Sequence, residues 1–231
     1  MNKLKQSLSS LLHAAYTHSP FILGIAGSVA VGKSTLGLDL QTLLCGWPEK
    51  PTVSLISTDG FLYPSAVLKE RGLMHKKGFP ESYDHQRLVD FFKAIHAGEQ
   101  AIQVPQYSHQ TYDILDEPLT LSSPDILIIE GVNILEYAEY LDYTIFIDAP
   151  TPLIKSWFLE RYQNFLKEAI NNPSSFFYPY TLMPPEQALQ RALDVWENIN
   201  EPNLVQHILP FKHRANLILK KGEGHFLSIC E

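Results

Sequence analysis

Followed for its alternation of apolar and polar positions, the chain breaks into short apolar runs separated by stretches of helical period. Phe21 to Ala26 has the length of a buried strand, and Val53 to Ser57, Asp125 to Gly131 and Tyr143 to Ala149 are further runs of this kind. Ala215 to Leu219 is a last short strand. Between them apolar residues recur at helical spacing: Leu4, Leu8, Leu11 and Leu12 within 3–16, and Leu36, Leu40, Leu43 and Leu44 after Ser34. Leu88, Phe91, Phe92 and Ile95 fit one face of a helix over 85–96, which Asp84 is placed to cap. Thr151-Pro152 supplies a cap and a proline at the first helical position, opening a helix to residue 169; another falls near 186–200.

The remaining stretches have weaker patterns. Residues 62–83, rich in Gly, Pro and Lys without a sustained period, read as a surface excursion. Residues 101–122 alternate weakly and predict short strands or a hairpin projecting from the main sheet, and 173–185 reads as a Pro-rich aromatic loop. Strands alternating with helices predict an α/β fold with a doubly wound, mostly parallel sheet flanked by helices. Ligands then belong at the carboxyl ends of the strands. At 231 residues the chain suits one domain, with 1–19 as a short helical lead-in.

One junction carries chemistry at once. Gly27-Ser28-Val29-Ala30-Val31-Gly32-Lys33-Ser34 fits G-x-x-x-x-G-K-[ST] at every fixed position, between a strand and a helix. Gly27 and Gly32 permit backbone angles that let successive N–H groups wrap an anion. A helix N-terminus offers about half a positive charge, too little for a triphosphate. Lys33 therefore adds a full charge at the β/γ-phosphates, and Ser34 a hydroxyl for Mg²⁺. A turn that merely joins strand to helix explains neither residue, so this is an NTP-binding loop.

Composition narrows the picture. A hydrophobic fraction of 45% and a charged fraction of 19% describe a folded core, not a disordered chain. The net charge of −7 disfavours binding along an extended nucleic-acid backbone. Cys45 and Cys230 are the only cysteines, too few for a disulfide framework and suited to a reducing compartment; Cys45, among leucines, reads as a core filler. No stretch has the length of a membrane span and the N-terminus lacks a signal-like apolar run, so a soluble cytoplasmic protein without a membrane partner is expected.

Several further residues invite a role. Asp59, between a strand and Gly60, would face a transferred phosphate as a base or a metal-side acid, or else forms a plain Asp-Gly turn. Glu130 ends an apolar run in the manner of a Walker-B acid, with Gly131 allowing close approach, whereas Asp148 reads as a cap and turn. Phe158, Arg161, Tyr162 and Phe165 share one helical face: either a flap bringing a cation and an apolar wall to a substrate, or a packed face with a snorkelling guanidinium. Tyr107, His109 and Tyr112 concentrate polar rings in one loop-like segment, where a surface histidine is the competing reading. No cluster has zinc spacing, and Trp157 and Trp196 read as core.

Taken together these runs resemble prokaryotic type I pantothenate kinases. The resemblance rests on Gly24 to Thr35, on Thr58-Asp59-Gly60-Phe61-Leu62-Tyr63-Pro64, and on LKERGLMHKKGFPESYD (68–84). Tyr107-Ser108-His109, Tyr112-Asp113, Asp125 to Gly131, Ile199-Asn200, Asn203-Leu204 and Ile208-Leu209-Pro210 continue it, so that it spans residues 20–225. It implies ATP- and Mg²⁺-dependent phosphorylation of the primary hydroxyl of pantothenate, the first step of coenzyme A synthesis, in a homodimer. By matching position, Asp59 would be the base or hydroxyl-orienting acid. His109, Tyr112 and Asn203 would bind pantothenate with Tyr107 beside them, and Arg161 would reach the phosphates. Tyr162 and Phe165 would wall the tail pocket, and Lys221 and His225 would lie near the adenine.

The chain also departs from that pattern. Fewer residues precede the first strand than in typical members, and Phe158 stands where the family usually has a tyrosine near pantothenate. Leu38 replaces a common arginine that helps hold coenzyme A, which bears on regulation by that molecule, and Phe211-Lys212-His213-Arg214 replaces Thr-Arg-Glu-Arg. Two other readings remain: a P-loop kinase of another acceptor (nucleoside, phosphoribulose or glycerate type), and a non-catalytic module that binds nucleotide or coenzyme A.

Overall fold

In the computed structural model, which describes residues 3–229, the apolar runs become one central sheet. In chain order the strands are β1 (Phe21–Gly27), β2 (Val53–Ser57), β3 (Ile102–Val104), β4 (Tyr107–Ser108), β5 (Asp113–Ile114), β6 (Leu119–Leu121), β7 (Ile126–Gly131), β8 (Tyr143–Asp148), β9 (Leu217–Lys221) and β10 (Leu227–Ile229). The central sheet has the order β10-β9-β8-β1-β7-β2. All its pairings are parallel except β10 on β9. Every residue of β1 and of β7 is buried, because helices cover both faces; that is why these strands read as continuous apolar runs and do not alternate. The expected mostly parallel α/β sheet is the one the chain forms.

The helices are α1 (Lys3–Ala15), α2 (Lys33–Cys45), α3 (Ser65–Glu70), α4 (His85–His96), α5 (Thr151–Ala169), α6 (Tyr178–Thr181) and α7 (Pro185–Val195). Leu36, Leu40 and Leu44 bury one face of α2, and a Cβ at Gly37 would come within 2.9 Å of Leu55, so α2 lies close on β2. Burying an aliphatic side chain of this size contributes about 1.5–3 kcal/mol, and Ile22, Leu23, Ile25, Ile128 and Ile145 are all fully buried in the sheet. Asp84 caps α4 by accepting from the Arg87 N–H at 3.0 Å.

Register decides where chemistry can gather. Glu130 on β7 pairs with Ile25 on β1 and with Ser57 on β2, and Gly27 pairs with Ile147 on β8. The glycine loop after β1, the turn after β2 and the acid at the end of β7 therefore lie at one edge of the sheet.

Five sequence expectations need correction. Residues 62–83 are no surface excursion: α3 and two single-turn helices fold there, burying Leu68, Phe79 and Tyr83, because Gly and Pro supply the turns while these apolar residues face inward. Cys45 is exposed at the end of α2 and fills no core; Cys230 lies outside the described residues. The helix near 186–200 does not stop there, since the chain continues beyond α7 through wider turns to residue 208 and then a tighter 3-10 stretch to residue 214. Thr151 opens α5 without a side-chain capping bond, because Pro150 holds the preceding position. Asp148 neither caps nor turns but accepts from Lys212 Nζ at 2.6 Å. The weak alternation over 101–122 forms two small antiparallel pairs, β3 with β6 and β4 with β5, and α6 sits inside the aromatic loop. Trp196 is fully buried as expected.

Candidate active site

Left-handed backbone shapes the loop after β1. Gly27 has φ 147°, Ala30 φ 59° and Gly32 φ 98°, angles that turn successive N–H groups toward a common centre. Lys33 is buried and its Nζ donates to the Ser28 carbonyl at 2.9 Å. Burial draws the Lys33 pKa down, while Glu130 and Asp59 act in the opposite sense. Ser34 Oγ donates to Glu130 Oε1 at 2.8 Å.

The other side of the loop is held by β9. Lys221 Nζ donates to the Val31 carbonyl at 2.8 Å and lies 4.6 Å from the Trp157 ring centroid. His225 stacks on the same ring at 5.0 Å. A Cβ at Gly32 would come within 2.8 Å of Lys221 Nζ, a second reason for glycine there. Trp157 is thus more than a core residue, since it joins Lys221 and His225 beside the phosphate loop.

Next to the loop is a cavity of about 480 Å³. Val29, Lys33, Ser34, Asp59 and Glu130 line it together with Tyr107, His109, Tyr112, Phe158, Arg161, Tyr162, Phe165 and Asn203, residues that lie far apart in the sequence. Lys221 and His225 are not part of this lining.

Asp59 sits in a single helical turn, Thr58–Phe61, whose conformation is fixed by close contacts. A Cβ at Gly60 would be 2.0 Å from the Pro105 carbonyl oxygen, and one at Gly131 would be 1.9 Å from Thr58 Oγ1. Thr58 Oγ1 in turn donates to Asn133 Oδ1 at 2.8 Å. The buried Tyr83 hydroxyl donates to Asp59 Oδ1 at 3.4 Å. Burial and then the Asp59 charge push the Tyr83 pKa well up, keeping the phenol a neutral donor.

Arg161 Nη2 donates to His109 Nε2 at 3.0 Å, and its guanidinium lies 5.1 Å from the Phe165 ring centroid. Desolvation, followed by the Arg161 charge, holds His109 down at about 4. The imidazole is therefore neutral near pH 7 with its proton on Nδ1, free to donate. Asn203 Nδ2 donates to the Gly78 carbonyl at 2.8 Å, leaving its buried Oδ1 without a partner.

Sequence reasoning missed Lys77 and Tyr83. Lys77 Nζ is 2.5 Å from the Tyr112 carbonyl and 3.1 Å from Ser65 Oγ, and lies over the Tyr112 and Tyr107 rings at 4.1 and 5.0 Å. It thereby holds Tyr112 at φ 56°. Burial lowers its pKa to about 8, against the charges of Asp113 and Asp59. Large apolar residues scattered through 62–83 were the available signal that this stretch faces inward. Phe176, Phe177, Tyr180 and Arg191 also line the cavity, and the density of rings over 176–180 could have pointed to them.

This arrangement places the glycine loop, with its cation and hydroxyl, beside a cavity walled largely by apolar and aromatic side chains. The sequence model described as PRK: Phosphoribulokinase / Uridine kinase family matches residues 22–164. The pantothenate kinase of Vibrio cholerae serotype O1 (strain ATCC 39315 / El Tor Inaba N16961) is 48% identical, over 96% of this chain and 76% of its own. The chain belongs to the pantothenate kinase family. The pantothenate kinase of Shewanella pealeana (strain ATCC 700345 / ANG-SQ1) is 47% identical over 90% of this chain and 70% of its own. Membership in a P-loop kinase family makes the chain an ATP-using phosphotransferase. Among solved structures, D-glycerate 3-kinase from Cryptococcus neoformans var. grubii superposes with TM-score 0.62, covering 100% of both chains at 12% identity. A protein of Silicibacter sp. TM1040 gives TM-score 0.70 over 91% of this chain and 95% of its own, at 19% identity. These distant likenesses speak for the fold alone.

Proposed function

We propose that the chain transfers the γ-phosphoryl group of ATP to the primary hydroxyl of pantothenate, giving 4′-phosphopantothenate in the first step of coenzyme A synthesis. The observation that carries this reading is the shared cavity, where Lys33, Ser34, Asp59 and Glu130 line the same space as Tyr107, His109, Tyr112 and Asn203. In this reading the acceptor hydroxyl oxygen bonds to the γ-phosphorus as the bond to the β-phosphate oxygen breaks, and the hydroxyl proton passes to Asp59. Lys33 and Arg161 offset charge on the transferred group, and the loop N–H groups from Gly27 to Thr35 hold the phosphates. Neutral His109 offers its Nδ1 proton to an acceptor oxygen, while Tyr107, Tyr112 and Asn203 orient the acceptor, and Phe158, Tyr162 and Phe165 wall its tail.

Ser34 and Glu130, an oxygen pair at hydrogen-bond distance, suit Mg²⁺, which keeps few protein ligands and binds largely through substrate phosphates. Ser34 and Glu130 would hold the ion, which would supply positive charge to offset that of the phosphates. Lys221 and His225 with Trp157 form the flat, cationic neighbourhood that an adenine ring would use. We further read the chain as one kinase domain of the cytoplasm that works as a homodimer; among the described residues no helix is long and apolar enough to cross a membrane. Leu38, exposed on α2, offers coenzyme A no charge, so inhibition by coenzyme A is expected to be weak.

Turnover of Lys33→Ala and Asp59→Asn tests the assignment. Each is expected to lose about 10²–10⁴-fold in kcat while keeping the thermal midpoint within a few degrees. Wild-type turnover in either folded variant would remove that residue from the mechanism.

A further inference from the structure

The transfer step leaves part of the cavity wall without a task. Tyr162 lines the cavity, is 8% exposed, and its hydroxyl is buried without a hydrogen-bond partner. Arg191 lines the same cavity, with its guanidinium 4.7 Å from the Tyr180 ring centroid. It has no carboxylate partner among the described residues: Asp194, one turn along α7, accepts instead from Gln190 Nε2 at 2.9 Å. The Arg191 charge is nonetheless felt at Tyr162, where it works against the rise in pKa that burial and then Tyr180 impose. Asn200 adds a third group, since its Nδ2 is buried, unpartnered and part of the lining residue set.

Three donors therefore line the same cavity, together with Phe165, Phe177, Val195 and Ile199. A pocket for an apolar tail would leave the buried Tyr162 hydroxyl and Asn200 amide unpaired, whereas buried polar groups are normally hydrogen-bonded. The acids that line the cavity are already engaged, Glu130 by Ser34 and Asp59 by Tyr83. Phe158, one turn before Tyr162 on the same face of α5, offers no polar atom and packs against Trp196 at 5.8 Å between ring centroids. A planar anion fits this donor set: a guanidinium for charge, a phenol and an amide for direction.

We propose that Tyr162, Arg191 and Asn200 form a carboxylate-recognising subsite that receives the acid end of the acceptor. The proposal deepens the pantothenate reading and rests on it for the position of the reacting hydroxyl. Acceptor choice is then set at two ends, by the hydroxyl at Asp59 and by the carboxylate at Arg191. Neutral relatives of the acceptor lose the second contact.

The test compares pantothenate with its neutral primary amide in wild type, Arg191→Met, Arg191→Lys and Tyr162→Phe. Steady-state kcat and KM are measured with ATP, and dissociation constants by calorimetry. Wild type is expected to favour the acid, and the acid-over-amide ratio of kcat/KM to fall about tenfold in Arg191→Met, through KM. Arg191→Lys should recover part of the preference and Tyr162→Phe lose a few-fold. An unchanged ratio, or an equal loss on acid and amide, overturns the subsite. Arg191 is exposed, so its variants keep the question open to measurement even if Tyr162→Phe fails to fold. Acid-selective binding that vanishes in Arg191→Met, without phosphorylation of pantothenate by wild type, upholds the subsite and removes the kinase reading. Phosphorylation with an unchanged ratio removes the subsite alone, and no binding of pantothenate removes both.

Discussion

Lys77 shows how a single residue can set both activity and stability. Its ammonium holds the Tyr112 carbonyl and lies over two tyrosine rings, a task that needs the charge. With its pKa lowered from 10.5 to about 8 by burial, kcat/KM should fall as pH rises through 8. Lys77→Met should lack that alkaline limb and raise the acceptor KM about tenfold through loss of a charged hydrogen bond. Stability moves the opposite way. Between 8 and 10.5 the unfolded chain binds the proton that the folded chain has released, so this group makes stability rise with pH across that window. Thermal melts from pH 8 upward should therefore favour wild type progressively over Lys77→Met; a constant difference would contradict the assignment. His109, neutral near pH 7, should add no titration near 6.5 to the acid limb of kcat/KM, which a pH profile of wild type against His109→Gln would check. Lys33 and Ser34 were legible as residues because a fixed spacing announces them, and Glu130 because it ends a buried apolar run. Lys77 was not, since no periodicity reports a cation enclosed by rings that are distant in sequence.

Elements were legible where one force dominated. The runs that became β1 and β7 are buried on both faces, so their apolar continuity could be read directly, and α4 announced itself by one apolar face and a capping Asp84. The stretch 62–83 was misread because its helices are too short to show a period. The helix after residue 185 reads from the sequence as ending near 200, and just beyond it Pro202 removes a hydrogen-bond donor from an ordinary helix. The chain instead widens into five-residue turns at Trp196–Asn200 and Leu204–Ile208, on either side of that proline. Those turns contain Asn200 and flank Asn203, so the irregularity lies where the cavity is lined, as such turns often do. The turn bearing Asp59 makes an element-scale prediction. Because a Cβ at Gly60 would meet the Pro105 backbone, Gly60→Ala should destabilise by about 1–3 kcal/mol in denaturant unfolding and lower turnover as Asp59 shifts. An unchanged unfolding midpoint would mean that the contact is relieved at no cost.

For the molecule as a whole, parallel register brings together what the sequence separates. Pairing of β7 with β1 and β2 aligns Glu130 with the ends of both strands, and α5 and the helix from 185 to 214 supply the opposite wall of the cavity. The acidic net charge of −7 does not prevent anion binding, because Lys33, Arg161 and the loop N–H groups act locally in a partly desolvated space. Fold and phosphate loop were readable from pattern alone; the acceptor pocket was reached through resemblance, since residues from 59 to 203 meet there only after folding. The most direct test is ADP release by the purified protein with Mg·ATP, with and without pantothenate, followed by mass analysis of the product. Pantothenate-dependent ADP release with a product heavier by one phosphoryl group is the expected result. ATP turnover that pantothenate leaves unchanged, with no phosphorylated pantothenate formed, would contradict the account.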